Sequence, residues 1–356
     1  MKYRLALIGY GGVARALAEI IKEHGTRLRQ EHDLDLSIVA VSDMRLGSAQ
    51  DAAGLPLDDL VNLPSSEGAL SGLPGGSDAA NNEAIIRNSN ADIVVEATFT
   101  NPKTGEPALS HCEWARESGK HLVTTNKGPV ALKGGQLYDL AKRNQVGFEF
   151  EGAVMSGTPV IRFAKKCLAG NKITGFRGIL NGTANYVLGL VEEGASFDDA
   201  IKQAQELGYA EADPTADIGG SDVLMKVLIL SNQLLGHGAD HTTSVCNGLG
   251  DLTEEDVRSA RNDGFRWKLI GEGRLDDAGN PAISVRPLRL PETDALASVS
   301  GPTNAVTFET DLLGDVTVTG PGAGRIETGF ALLSDIIAIQ EASRPARFVS
   351  KNTEVA

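Results

Sequence analysis

A short apolar run at residues 5–8 ends in a tight glycine turn, Gly9-Tyr10-Gly11-Gly12, and helical periodicity begins at once in Val13, Leu17, Ile20 and Ile21. Four apolar residues bounded by glycine are too few for a helix and read as a buried strand. A strand, a tight turn and an amphipathic helix in that order form the first half of a βαβ unit. The rhythm repeats with strands at 36–41, 92–99, 121–125 and 146–150 and helices at 107–118 and 137–143. Alternation at this pace predicts an α/β fold with a doubly wound parallel sheet of the Rossmann type. The polar stretch 25–35 reads as surface loop or helix extension. Residues 55–90, rich in Gly, Ser, Pro and Asn, give only weak helical signals.

After Glu151 the pattern changes. Residues 159–168 look helical, 173–180 like a strand and 185–191 like a helix, and Ser196 caps a further helix with Asp198 and Asp199 in its first turn. Strands are predicted at 267–272, 283–288 and 306–318. This second unit is therefore α+β with a largely antiparallel sheet. A second glycine turn, Gly320-Pro321-Gly322-Ala323-Gly324, precedes a final helix at 327–340. A length of 356 residues accommodates two such units.

Charge and cysteine content narrow the partners. A net charge of −14 argues against nucleic acid and anionic membrane surfaces. No apolar run is long enough to span a bilayer. Cys112, Cys167 and Cys246 are too far apart to suggest a disulfide framework or a zinc site, so a reducing cytoplasm is expected. Cys112 shares a predicted helix with His111, but adjacent helical residues do not face each other, which argues against Cys112 as a nucleophile.

The first glycine turn sits where a dinucleotide would be held, with Ala14 at the third glycine position of the fingerprint. Glycines let the backbone approach a pyrophosphate, and the helix N-terminus favours its charge. A simple packing turn is the alternative. Asp43 ends the second strand, where a carboxylate binds the ribose hydroxyls of NAD, although it stands 31 residues beyond Gly12. Arg45, two residues on, is suited to the 2′-phosphate of NADP. Direct pairing of Arg45 with phosphate inclines the reading towards NADP. Thr124-Thr125-Asn126-Lys127-Gly128 follows a parallel strand at the edge where ligands bind in such sheets. Glu151, also at a strand end, precedes a small-residue loop that is either a cation site or a hinge.

The stretch Gly208 to Leu230, GYAEADPTADIGGSDVLMKVLIL, carries a carboxylate-rich loop and then one lysine in an apolar helix. Asp222 and Lys226 are four apart and share a helix face. Apolar neighbours would desolvate Lys226 and lower its pKa, suiting it to proton transfer. A snorkelling lysine paired with its i−4 aspartate is the alternative.

These motifs together resemble the homoserine dehydrogenases: GYGGVA, TTNKGPVA, EGAVMSGTPVI, LNGTANYVL, GYAEADPTADIGGSDVLMKV and GPGAGRIETGFALLSDI, in the family's order from residue 5 to about 340. The resemblance implies an NAD(P)-dependent oxidoreductase that interconverts L-homoserine and L-aspartate 4-semialdehyde. It implies Lys226 as the proton donor and acceptor, with Lys127 beside substrate or cofactor. Glu211 and Asp222 would hold the amino acid, Asp217 would shape the pocket, and Asn181, Gly182 and Thr183 would line it. The dinucleotide would meet Gly9, Tyr10, Gly11, Gly12, Val13, Asp43, Arg45, Thr98, Lys127, Gly322 and Gly324. A monovalent cation such as sodium would lie at Glu151, Val154, Ser156 and Thr158, although Met155-Ser156 departs from the family's small, glycine-rich pair.

The resemblance also implies a dinucleotide-binding unit at 1–150 completed by 320–345, a substrate-binding unit at 151–319, and a homodimer formed through the second sheet. No regulatory ACT domain is expected after Gln340 and no aspartokinase before Leu5. The tail from Glu341 to Ala356 is expected to be a terminal strap or disordered. Another hydroxy or oxo acid substrate, or a non-catalytic dinucleotide-binding homologue, are the rival readings.

Overall fold

The computed structural model describes residues 1–236, 238–239 and 244–343. The first part runs β1 (Lys2–Ile8), α1 (Gly12–His32), β2 (Asp35–Asp43), β3 (Gly47–Gln50), α2 (Leu57–Val61) and α3 (Asn82–Asn88). It continues with β4 (Ile93–Glu96), α4 (Ala108–Glu117), β5 (His121–Thr124), α5 (Lys127–Asn144) and β6 (Phe148–Glu149). The sheet order is β3-β2-β1-β4-β5-β6, parallel except for the edge strand β3. The order reverses between β1 and β4, which opens a crevice beyond their carboxyl ends. Leu5, Leu7 and Ile8 are fully buried because helices cover both faces.

Several local expectations are refined. The polar stretch 25–35 mostly continues α1, which ends at Asp33 in the left-handed conformation. A helix of 21 residues thus accounts for the distance from the glycine turn to Asp43. The last strand of this sheet is only two residues long. The weak region 55–90 holds α2, α3 and a single 3₁₀ turn.

The second part runs α6 (Val160–Arg162), β7 (Ile173–Ile179), α7 (Gly182–Glu192), α8 (Phe197–Glu206), α9 (Thr215–Ile218) and α10 (Ser221–Leu234). Then follow β8 (Val245–Cys246), α11 (Glu254–Asn262), β9 (Phe265–Leu275), β10 (Pro281–Pro291), β11 (Thr303–Thr310) and β12 (Gly314–Pro321). The sheet order is β12-β11-β7-β9-β10-β8, antiparallel apart from the short β8–β10 pair. The single strand expected at 306–318 is a correction: it is the hairpin β11–β12.

Glycines in β9 set the height of α10 over this sheet. A Cβ at Gly271 would lie 2.4 Å from Val227 Cγ2, so only glycine lets α10 lie this close. The closing helix α12 (Arg325–Ser343) returns to the first sheet and packs on α1. Gly329 meets Ala16 there, and Arg325 pairs with Glu19 at 2.7 Å. Residues 344–356, which include most of the expected terminal strap, lie outside the described residues. Among the described residues no helix is long and apolar enough to cross a membrane.

Candidate active site

Helix α10 carries the central lysine. Its start at Gly220, in the left-handed conformation, turns the acidic loop into a helix whose first turn holds Asp222. Val223 and Val227 face the sheet and anchor the helix, so Lys226, one turn beyond Asp222, is carried towards the junction of the two sheets. Lys226 is 8% exposed. Its Nζ donates to the Leu180 carbonyl at 2.7 Å and to Asp222 Oδ2 at 2.8 Å. Lys226 is thus buried, as expected from sequence, with two acceptors at its Nζ. Three N–H donors minus two partners leave one for another acceptor.

Asp222 collects charge from two directions. Lys127, the first residue of α5, places Nζ 3.4 Å from its Oδ1. Asn181 caps α7 by accepting from Ala184 N at 2.8 Å, which leaves its Nδ2 to donate to Asp217 at 2.7 Å and Asp222 at 2.9 Å. Burial works against the Asp222 charge, but the two lysines and the hydrogen bonds outweigh it and hold the carboxyl below the usual range. At Asp217 burial prevails over the Asn181 hydrogen bond, and its pKa is raised.

These groups line one cavity of about 1100 Å³ between the sheets. Lys226, Lys127, Asp217, Asp222, Glu211, Asn181, Gly182 and Thr183 all border it. So do Gly12, Val13, Gly322 and Gly324 from the two glycine turns, and Ser156. The amino-acid residues expected from sequence and both glycine turns are therefore brought together.

The first turn fits a dinucleotide. Gly9 has φ +84°, and a Cβ there would lie 2.7 Å from the Ala97 carbonyl oxygen. Gly11 has nothing within 4 Å of its Cβ position, so the turn is open at the N-terminus of α1. Tyr10 turns its ring into the core, where its hydroxyl donates to Leu60 O and burial pushes its pKa up. Asp43 accepts from the backbone N–H groups of Tyr10, Arg45 and Leu46 at 2.9–3.0 Å. Burial opposes its charge, but those three donors and Arg45 bring its pKa below the ordinary value. The Arg45 residue is exposed. Thr98 sends both its hydroxyl and its amide to Glu96, which is fully buried at the end of β4.

Two family models decide the assignment. One described as homoserine dehydrogenase matches residues 159–337, and one described as the NAD-binding domain of homoserine dehydrogenase matches residues 9–151. The chain belongs to the homoserine dehydrogenase family. It is an NAD(P)-dependent oxidoreductase with a Rossmann-type sheet and a second mixed-sheet unit. It is 54% identical over 342 residues to the NAD(+)-dependent homoserine dehydrogenase of Pseudomonas canavaninivorans, covering 96% of this chain and 97% of that one. Identity to the homoserine dehydrogenase of Methanocaldococcus jannaschii is 37%, covering 96% and 99%. A hyperthermophilic archaeal homoserine dehydrogenase in complex with NADPH superposes with a TM-score of 0.81 at 28% identity, covering 98% of this chain and all of that one.

The cation positions behave differently from the rest. Glu151 accepts from Ile161 N at 2.7 Å and Arg162 N at 2.9 Å, and Arg162 Nη2 stands 3.4 Å away. Its carboxylate therefore does not fit a cation ligand. Thr158 Oγ1 donates to the Pro321 carbonyl at the end of β12, and the Ser156 hydroxyl pairs with that of Thr328 on α12. A cation in this loop would depend on the backbone carbonyls of Val154, Ser156 and Thr158. Among the described residues, no group of three or more His, Cys, Asp or Glu side chains converges as a metal site.

Sequence reasoning missed several lining residues. Tyr209, Pro302, Thr303, Thr125 and Arg325 border the cavity, and the Leu180 carbonyl binds Lys226. Arg325 follows the second glycine turn directly and touches the position where Gly12 would carry a Cβ. A cation immediately after a glycine turn was the available signal. Cys112 is fully buried and burial pushes its thiol pKa up, in keeping with an inert residue.

Proposed function

We propose that this chain interconverts L-homoserine and L-aspartate 4-semialdehyde with Lys226 as the proton donor and acceptor. The observation that carries the reading is the sharing of Asp222 by Lys226 and Lys127 inside a cavity that also holds both glycine turns. Bound nicotinamide supplies the hydride in one direction and takes it in the other. In the reductive direction the third N–H of Lys226 is given to the aldehyde oxygen as it becomes a hydroxyl. In the oxidative direction Lys226 Nζ takes the hydroxyl proton as the hydride leaves the carbinol carbon. Asp222 keeps the ammonium aimed, and Leu180 O fixes its height. Lys127 lies across Asp222 from Lys226 and holds the substrate or the nicotinamide edge.

Glu211 and Asp217 give the cavity acceptors for the substrate ammonium, while Asn181, Gly182 and Thr183 set its wall. Gly11, Gly12 and Val13 meet the pyrophosphate at the start of α1, with Gly322, Gly324 and Arg325 on the opposite side. We infer that residues 1–150 with the returning segment from 320 form the dinucleotide unit and 151–319 the substrate and dimerisation unit. NAD is the preferred form: Asp43 is held rigidly by three N–H groups at the end of β2, where a 2′-phosphate would meet a fixed negative charge. The NAD(+)-dependent name of the relative at 54% identity supports the same preference.

We infer a homodimer through the face of the second sheet that carries its charged pairs. Arg177–Asp294, Arg274–Glu309 and Arg286–Glu272 pairs run across it. The free cysteines fit a cytoplasmic enzyme. The test is direct: purified protein with L-homoserine and NAD should form NADH, and the same alcohol without its amino group should react poorly. Equal rates on both alcohols would overturn the substrate assignment.

A further inference from the structure

Asn304, at the start of β11, is completely buried, yet neither its Nδ2 nor its Oδ1 has a hydrogen-bond partner. Buried carboxamides almost always find partners, because an unmade hydrogen bond in the interior is costly. A side chain that keeps this cost in the unliganded fold needs a reason elsewhere. Its surroundings supply one. A Cβ at Gly322 would lie 2.1 Å from both the carboxamide carbon and Nδ2 of Asn304. The amide therefore lies flat against Gly322, in the middle of the second glycine turn.

That turn is tied at both ends. Thr158 Oγ1 donates to the Pro321 carbonyl at 2.9 Å, and Thr328 donates to the Gly324 carbonyl through its hydroxyl at 2.6 Å and its amide at 3.0 Å. Gly322 and Ala323 span the gap between these anchors and border the large cavity. Glycine at 322 leaves the peptide planes on either side free to rotate, and Asn304 is the polar group directly beneath them.

We propose that Asn304 is a positioning residue for the dinucleotide: its carboxamide takes the backbone N–H and C=O of the Gly322–Ala323 segment as partners when the turn settles on the bound cofactor. The inference rests on the proposed place of the dinucleotide beneath this turn. The hydrogen bonds forgone in the free protein are made in the complex, so part of the cofactor's affinity comes from them. Asn304 touches neither the substrate nor the reacting atoms.

The test compares Asn304→Leu with the parent by NADH fluorescence titration, thermal unfolding without cofactor, and steady-state kinetics. Leucine is close in shape to asparagine and has no polar group to satisfy. The expected result is an unchanged or higher Tm, with NADH affinity weakened about three- to tenfold, as one neutral hydrogen bond or a little more is worth. The KM for homoserine at saturating NAD should stay within about twofold of the parent. Parent-like NADH affinity overturns the proposal, and so does a fall in affinity that comes only with a lowered Tm, which marks a structural role. If Asn304→Leu does not fold, Asn304→Ala removes the carboxamide with a smaller side chain. Weakened NADH binding in that variant with the homoserine KM unchanged supports the proposal, and parent-like NADH binding overturns it. Failure of the parent itself to bind NADH would instead overturn the cofactor reading on which the inference stands.

Discussion

Lys226 Nζ and Asp222 Oδ2 lie 2.8 Å apart, one helical turn from each other on α10. The other oxygen of the same carboxylate faces Lys127 at 3.4 Å. One aspartate thus links a lysine from each half of the molecule, and all three side chains border one cavity. Changing Asp222 alters the charge balance at both lysines, whereas changing either lysine leaves the other paired.

Asp222→Asn should therefore reduce kcat/KM for homoserine far more than Glu211→Gln. Loss of the carboxylate leaves Lys226 and Lys127 facing each other without their shared counter-charge, a deep perturbation of a buried network. Glu211 is exposed at the cavity rim, and its loss should mainly raise the homoserine KM. Steady-state kinetics on both variants checks this, and equal losses would contradict it.

The two glycines of the first turn should separate fold from function. Gly9→Ala places a Cβ 2.7 Å from the Ala97 carbonyl at φ +84°, so a lower Tm is expected. Gly11→Ala meets nothing within 4 Å in the free protein and should fold normally. Its methyl group would stand where the pyrophosphate approaches, so NADH affinity should fall about tenfold or more. Parent-like NADH binding by Gly11→Ala would place the dinucleotide elsewhere.

Cofactor choice should follow Asp43 rather than Arg45. The parent is expected to have a higher kcat/KM with NAD than with NADP, and Arg45→Ala should leave that ratio unchanged. A collapse of NADP use on Arg45→Ala would restore the phosphate-binding reading of Arg45.

A pH effect on stability should come from Lys268. It is 4% exposed on β9, donating to Asn185 Oδ1 at 3.0 Å and the Val299 carbonyl at 2.7 Å. Burial lowers its pKa to about 8, although Glu192 opposes the shift. Between that value and its ordinary value of about 10.4 the unfolded chain binds the extra proton, so stability rises with pH. Relative to Lys268→Met, the parent should gain Tm from about pH 8 to pH 10. Parallel Tm profiles for the two proteins would contradict it.

Much of this was legible in the sequence because the informative spacings are local. The i, i+4 pair of Asp222 and Lys226, the glycine turn after β1 and the N-cap at Ser196 each depend on a few adjacent residues. The partners that complete them are distant in the chain. Asn181 reaches Asp217 and Asp222 across 36 and 41 residues, and the Leu180 carbonyl reaches Lys226 across 46. No periodicity reports such contacts. The hairpin β11–β12 was obscured for another reason. Leu312 and Leu313 are apolar and sit at its tip, 72% and 62% exposed, so the run 306–318 looked like one continuous buried strand. Gly314, with φ +71°, was the turn signal within it.

The central claim is that Lys226 moves the proton, and one comparison tests it most directly. Parent and Lys226→Ala are assayed with L-homoserine and NAD by NADH formation, with NADH affinity measured on the same preparations. The expected result is homoserine turnover by the parent, a fall in kcat of about 100- to 10,000-fold in the variant, and unchanged NADH affinity. A folded Lys226→Ala protein with a kcat within about threefold of the parent would contradict the account, because general acid–base catalysis is typically worth far more.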